Sequence, residues 1–102
     1  MRIVFSEIAD QSYEKILEFL SKVWTEKEVE IFINDTESIV DELKVSNYLM
    51  FQKSRFKTRS ALIGKKHVRM FFIKEHENLI KVLLFFDMRE DPKKIPNLLK
   101  SY

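Results

Sequence analysis

The apolar positions of this chain change their period twice. Residues 2 to 5, "RIVF", form a short β-like run. Ser6 ends it, and a serine there can accept a hydrogen bond from the free amides of a helix that starts at Glu7. Ala9, Tyr13, Ile16, Leu17, Leu20 and Val23 then recur at helical spacing, with Glu14, Lys15, Glu18 and Lys22 on the other side, which predicts an amphipathic helix over 7–23. Thr25-Glu26-Lys27-Glu28 has the form of a capping box, in which hydroxyl and carboxylate each satisfy a backbone amide at a helix start. Val29, Phe32, Ile33, Thr36, Val40 and Leu43 mark the buried stripe of this second helix, and Asn47 is its end signal. The two helices are expected to form an antiparallel hairpin joined near Trp24.

From Lys57 the period becomes two. "TRSALI" is followed by a Gly64-Lys65-Lys66 turn, then "HVRMFFIK", a polar turn "EHEN", and "LIKVLLFFD". This pattern predicts a three-strand meander. In the last strand Ile80, Val82, Leu84 and Phe86 make one apolar face, assigned to packing under the helices, while Lys81, Leu83, Phe85 and Asp87 face the other way. Val68, Met70 and Phe72 likewise alternate with Arg69, Phe71 and Ile73. Two helices cover one side of a sheet only. Phe71, Leu83 and Phe85 are therefore expected to be exposed on the other, unless a partner or the C-terminal run "KKIPNLLKSY" covers them.

Length and composition narrow the class. The 102 residues suit one domain, spanning 1–102, and 45% hydrophobic residues can supply its core. The chain has no cysteine, and its longest unbroken apolar run is the five residues from Val82 to Phe86. Neither a disulfide framework nor a signal or membrane segment is indicated, so a cytoplasmic protein without a membrane partner is expected.

Charge is sharply segregated. Residues 1 to 42 hold 4 basic and 11 acidic residues, residues 43 to 74 hold 9 basic and none acidic, and residues 75 to 102 hold 5 of each. Within the basic third, "KSRFKTR" places Lys53, Arg55, Lys57 and Arg59 at every second position. Read as an extended run, it would point four cations one way and Ser54, Phe56 and Thr58 the other. Such a surface suits an anion, either a nucleic acid backbone or an acidic protein face; a solvated strand face is the alternative.

The order strand, helix, helix, antiparallel meander resembles the RelE/ParE superfamily of small bacterial toxins from type II toxin–antitoxin modules. The resemblance is carried by "IVFSEIADQSYEKILEFL", the helical hairpin, and "ALIGKKHVRMFFIKEHENLIKVLLFFDMREDPKK", which together span nearly the whole chain. It implies a two-layer α+β fold, with the first strand beside the last in an antiparallel sheet and a basic concave face left open. It also implies a cognate antitoxin as partner, assembly into a toxin–antitoxin hetero-oligomer, and no cofactor.

Within the superfamily the RelE-like branch cleaves mRNA on the ribosome and the ParE-like branch inhibits DNA gyrase. Metal-free cleavage by the RNA 2′-hydroxyl needs a base, cations against the phosphate, and an acid for the leaving oxygen. Arg69 and Arg89 match the RelE-like catalytic arginines; an ion pair of Arg89 with Asp87 or Glu90 is the structural alternative. The acid is missing, because residues 88 to 101 hold neither tyrosine nor histidine, Ile95 stands about where the tyrosine is expected, and Tyr102 is terminal. The RelE-like lysines fall near Ser60 and Leu62, with Lys57, Arg59, Lys65 and Lys66 close by. His67 and His76 sit in predicted turns, no residue set has metal-ligand spacing, and a single glycine, Gly64, excludes a glycine-rich phosphate loop.

The expectation is a ParE-like toxin that inhibits growth by binding an essential target, with a RelE-like ribosome-dependent endonuclease and an inactive antitoxin-binding relative as alternatives. The expected binding residues are Lys53, Arg55, Lys57, Arg59, Lys65, Lys66, Phe71, Leu83, Phe85, Lys93 and Lys94. Arg69 and Arg89 are catalytic only in the endonuclease case.

Overall fold

The computed structural model describes residues 1–45, 47–64 and 67–100. Strand β1 (Arg2–Phe5) leads into helices α1 (Glu7–Val23) and α2 (Glu26–Lys44). A 3₁₀ turn (Tyr48–Met50), the two-residue strand β2 (Gln52–Lys53) and a second 3₁₀ turn (Arg55–Lys57) follow. Strands β3 (Arg59–Ile63), β4 (Val68–His76) and β5 (Leu79–Asp87) complete the sheet, and a 3₁₀ turn (Pro92–Lys94) runs into the short helix α3 (Ile95–Leu99). The fold is α+β, and the sheet order is β1-β5-β4-β3-β2.

Local chemistry sets the helix starts where the sequence placed them, while α2 ends at Lys44, short of Asn47. Ser6 Oγ accepts from the Ala9 amide at 3.0 Å. At α2 both halves of the capping box form, with Thr25 Oγ1 accepting from Glu28 N at 3.3 Å and Glu28 Oε1 accepting from Thr25 N at 3.5 Å. Past α2, Asn47 Nδ2 donates to Glu42 Oε2 at 3.0 Å. The turn into β4 begins at Gly64, where φ is +60° and an added Cβ would lie 2.9 Å from Phe32 Cδ1. Glycine is required there for both reasons. The Gly64 amide also donates to Asp35 Oδ2 at 3.1 Å, tying the turn to α2.

β1 does lie beside the last strand, but the pair runs parallel, Ile3 opposite Ile80 and Phe5 opposite Val82. The sheet is therefore mixed, since β2 through β5 pair antiparallel. β1 stops at Phe5, which leaves the edge of β5 beyond Val82 without a strand. Two serines of the following segment take its place. Ser6 Oγ donates to the Leu83 carbonyl at 3.1 Å, and the Phe85 amide donates to Ser12 Oγ of α1 at 3.0 Å. Both groups flank an irregularity, because Phe71 pairs with Leu84 while Phe72 pairs with Val82, so Leu83 is an extra residue in β5. A bulge of this kind frees backbone groups that must find partners elsewhere.

The bulge also switches which side chains face the helices. Ile80, Val82 and Phe85 join Leu20, Phe32, Leu43, Ile63, Met70 and Phe72 in the core under α1 and α2. Leu83, Leu84 and Phe86 cluster with Phe71 on the opposite side. The unbroken alternation expected for Ile80, Val82, Leu84 and Phe86 thus holds only up to Val82. Nor are Phe71, Leu83 and Phe85 exposed: all three are buried, Phe85 in the helical core and the other two beneath the C-terminal tail. Fully buried Leu99 and half-buried Ile95 and Leu98 supply that cover. The tail is a partial third layer, and Phe71, Leu83 and Phe85 do not form the open apolar patch that was expected.

Candidate anion-binding groove

The segment 53–59 is not an extended two-faced run. Lys53 pairs with Arg59 and Gln52 with Ser60, so the chain reverses between them. The reversal is held by Ser54 N donating to the Thr58 carbonyl at 2.9 Å and Thr58 Oγ1 donating to the Arg55 carbonyl at 2.6 Å. At its tip Phe56 and Lys57 adopt φ of +57° and +62°, a left-handed backbone that bulky residues rarely take. Phe56 is not a buried packing residue; it is 41% exposed, with Lys100 Nζ 5.7 Å from the centre of its ring. Thr58, expected to share its face, is buried.

Folding back splits the cation row. Arg55 lines a groove of roughly 610 Å³ with Arg69 and Lys93, whose other walls are Gln52, Ser54, Phe71, Pro92, Ile95 and Pro96. Lys53, Lys57 and Arg59 instead line a smaller hollow of roughly 290 Å³ beside Tyr48. Arg59 is committed structurally, with Nη1 donating to the Phe51 carbonyl at 2.9 Å and the guanidinium 5.4 Å from the Tyr48 ring centre. Tyr48 is buried, and its hydroxyl donates to the Lys57 carbonyl at 3.4 Å.

Within the groove, among the described residues, Arg69 is positioned by neutral groups only. Its Nη1 donates to Ser60 Oγ at 2.8 Å and to Gln52 Oε1 at 3.4 Å. Ser60 Oγ in turn sits 2.8 Å from Ser54 Oγ. Neutral acceptors fix the guanidinium without cancelling its charge, so it remains able to attract an anion. Sequence reasoning missed Gln52, Ser54 and Ser60, placing Ser54 on the face opposite the cations and reading Ser60 only as a position near which a RelE-like lysine falls. A small hydroxyl in place of an apolar residue in "RSALI" was the only signal.

Arg89 is not among the groove walls. Its Nε and Nη2 clasp Asp87 at 2.9 and 2.7 Å, and its guanidinium lies 5.0 Å from the centre of the Phe19 ring of α1. The hydrogen bonds from Arg89 hold the Asp87 carboxyl below its ordinary range, and Asp87 in turn raises Arg89. The ion pair weighed in the sequence is thus the observed state, and the two candidate catalytic arginines are not brought together. Lys94 is 3.5 Å from Glu90, whereas Lys93 faces the groove. His67 is half-buried with its ring 5.2 Å from that of Trp24, and His76 ends β4 in solvent. Lys65, Lys66 and Tyr102 lie outside the described residues.

The arrangement can therefore hold an anion against three cations, and among the described residues its walls carry no carboxylate, imidazole or phenol. Its residues come from β2, β4, the hairpin tip and the tail, so the groove exists only when the tail is docked on the sheet. Compared with known protein families and with curated proteins, the chain matches none.

Proposed function

We propose that this chain is a ParE-like toxin that arrests growth by binding an essential target through the groove, and that a cognate antitoxin silences it. The observation that carries the reading is the make-up of the groove walls. Arg55, Arg69 and Lys93 stand there with no carboxylate, imidazole or phenol among the described residues. Cleavage by the 2′-hydroxyl requires a base and an acid within hydrogen-bond reach of the reacting oxygens. A guanidinium stays protonated in proteins and serves as neither, and Lys93, the one remaining cation of the walls, could supply one of the two roles but not both. Electrostatic capture needs only what is present, a cluster of one sign whose field draws in the opposite one.

DNA gyrase is the target that the resemblance implies. An acidic antitoxin segment seated on the same cations would exclude the target and give a toxin–antitoxin hetero-oligomer. Primer extension on mRNA from induced cells, beside a supercoiling assay with purified gyrase, separates the branches. Growth arrest without codon-phased cuts, and supercoiling lost on adding the protein and restored by antitoxin, are expected. Codon-phased cuts would replace this reading with ribosome-dependent cleavage.

A further inference from the structure

A second opening lies at the other edge of the sheet, between β1, α1 and α2. It encloses roughly 520 Å³, within the range of about 300–1,000 Å³ usual for binding clefts. Phe5, Tyr13 and Val40 form its apolar floor, and Asp10, Glu37 and Asp41 its rim, against one cation, Lys44. None of the three carboxylates forms an ion pair among the described residues. Burial chiefly, and then the nearby Glu37 charge, pushes the Tyr13 hydroxyl up despite its hydrogen bond with Thr36, so the floor presents a neutral phenol.

The matching shape is on this same chain. The hairpin tip carries Arg55, Phe56 and Lys57, an aromatic ring flanked by two cations, and neither cation forms an ion pair among the described residues. Left-handed backbone at Phe56 and Lys57 costs energy, and it holds the Phe56 ring only part-covered, 41% exposed at the surface. The tip and the cleft cannot meet within one molecule. β1 and β2 are the opposite edges of a five-stranded sheet, about 19 Å apart at the usual strand spacing of about 4.8 Å.

We propose that the protein associates head to tail with a second copy of itself, the Arg55-Phe56-Lys57 tip of one molecule entering the acidic, aromatic-floored cleft of the next. Phe56 fills the apolar floor while Arg55 and Lys57 meet Glu37 and Asp41 on the rim. The N-terminal excess of acid and the acid-free middle third thereby acquire one shared role. Because the two surfaces differ, each addition leaves a free tip and a free cleft, so the assembly grows as a chain or closes as a ring.

Sedimentation velocity of the full chain across a concentration series tests this. At low salt the average mass should rise with concentration. At an ionic strength of about 1 M, where the screening length falls to about 3 Å, it should return to the monomer value. Arg55→Glu with Lys57→Glu, and separately Glu37→Lys with Asp41→Lys, should each remain monomeric at low salt while keeping the wild-type circular dichroism. Mixing the two variants, or combining all four changes in one chain, should restore association. Phe56→Ala should weaken association at least tenfold with an unchanged fold. A wild-type chain that stays monomeric throughout, association that survives either single-sided reversal, or a mixture that fails to associate would each overturn the proposal.

Discussion

Arg69 Nη1 donates a 2.8 Å hydrogen bond to Ser60 Oγ across the β3–β4 pair, and this bond aims the one groove cation that sits on a long central strand. Arg55 and Lys93 join it from the hairpin and the tail. If the three act as one anion site, Arg69→Ala, Arg55→Glu and Lys93→Glu should each elute from a heparin column at lower salt than wild type. Each removes one contact that must release counterions, so each should flatten the salt dependence by about one ion. Lys94→Glu should change elution less, because Lys94 is outside the groove and beside Glu90.

The β5 bulge makes a prediction about stability. Ser12→Ala would leave the Phe85 amide without its acceptor in a part-buried position, a loss of about 1–3 kcal/mol by chemical denaturation. Ser6→Ala should cost at least as much, because the same hydroxyl caps α1 and holds the Leu83 carbonyl. A value near zero for Ser12→Ala would mean that another group satisfies the bulge.

The tail should behave as part of the core. Leu99 is fully buried against Phe71, Leu83, Leu84 and Phe86, so Leu99→Ala should cost about 2–5 kcal/mol. Phe56→Ala should cost less than Leu99→Ala, since Phe56 is 41% exposed whereas Leu99 is fully buried. Equal losses in the two variants would contradict the assignment of Leu99 to the core and Phe56 to the surface.

These contrasts show what was legible in the sequence. The two long helices were, because Ser6, Thr25 and Glu28 are caps with a local mechanism and the 3.6 period of 7–23 has no rival; the short α3 in the tail was not. The meander was, because "LIKVLLFFD" has strand length and Gly64 marks a forced turn. The bulge was not, since Val82 to Phe86 is apolar at every position and a slip in parity leaves no polar residue misplaced. The hairpin at 54–58 was hidden for another reason. Its cations happen to recur every second residue, imitating a strand, and its left-handed positions are filled by Phe56 and Lys57 rather than the glycine or asparagine that announce a turn. Of the groove, the cations were legible, but the serines that orient Arg69 were not.

Asp87 and Arg89 give the acid limb of stability a defined sign. Hydrogen bonds from Arg89 depress the folded-state pKa of Asp87 below its ordinary 3.8. The pair therefore contributes above that value and its contribution is lost as pH falls through the lower, folded-state value. Asp87→Asn should be less stable than wild type at neutral pH by less than about 1 kcal/mol, as befits a pair whose arginine is 44% exposed. The gap should close below about pH 4, near the unfolded aspartate value. Thermal melts of both proteins between neutral and strongly acidic pH would show it, and a constant gap would mean that the ion pair is not its source.

Growth after induced expression tests the central claim most directly, comparing wild type with an Arg55→Glu, Arg69→Ala, Lys93→Glu triple variant that is equally abundant and folded. Arrest by the wild type and normal growth of the variant is the predicted result. Growth arrest by both, or by neither, would contradict a toxin that acts through this groove.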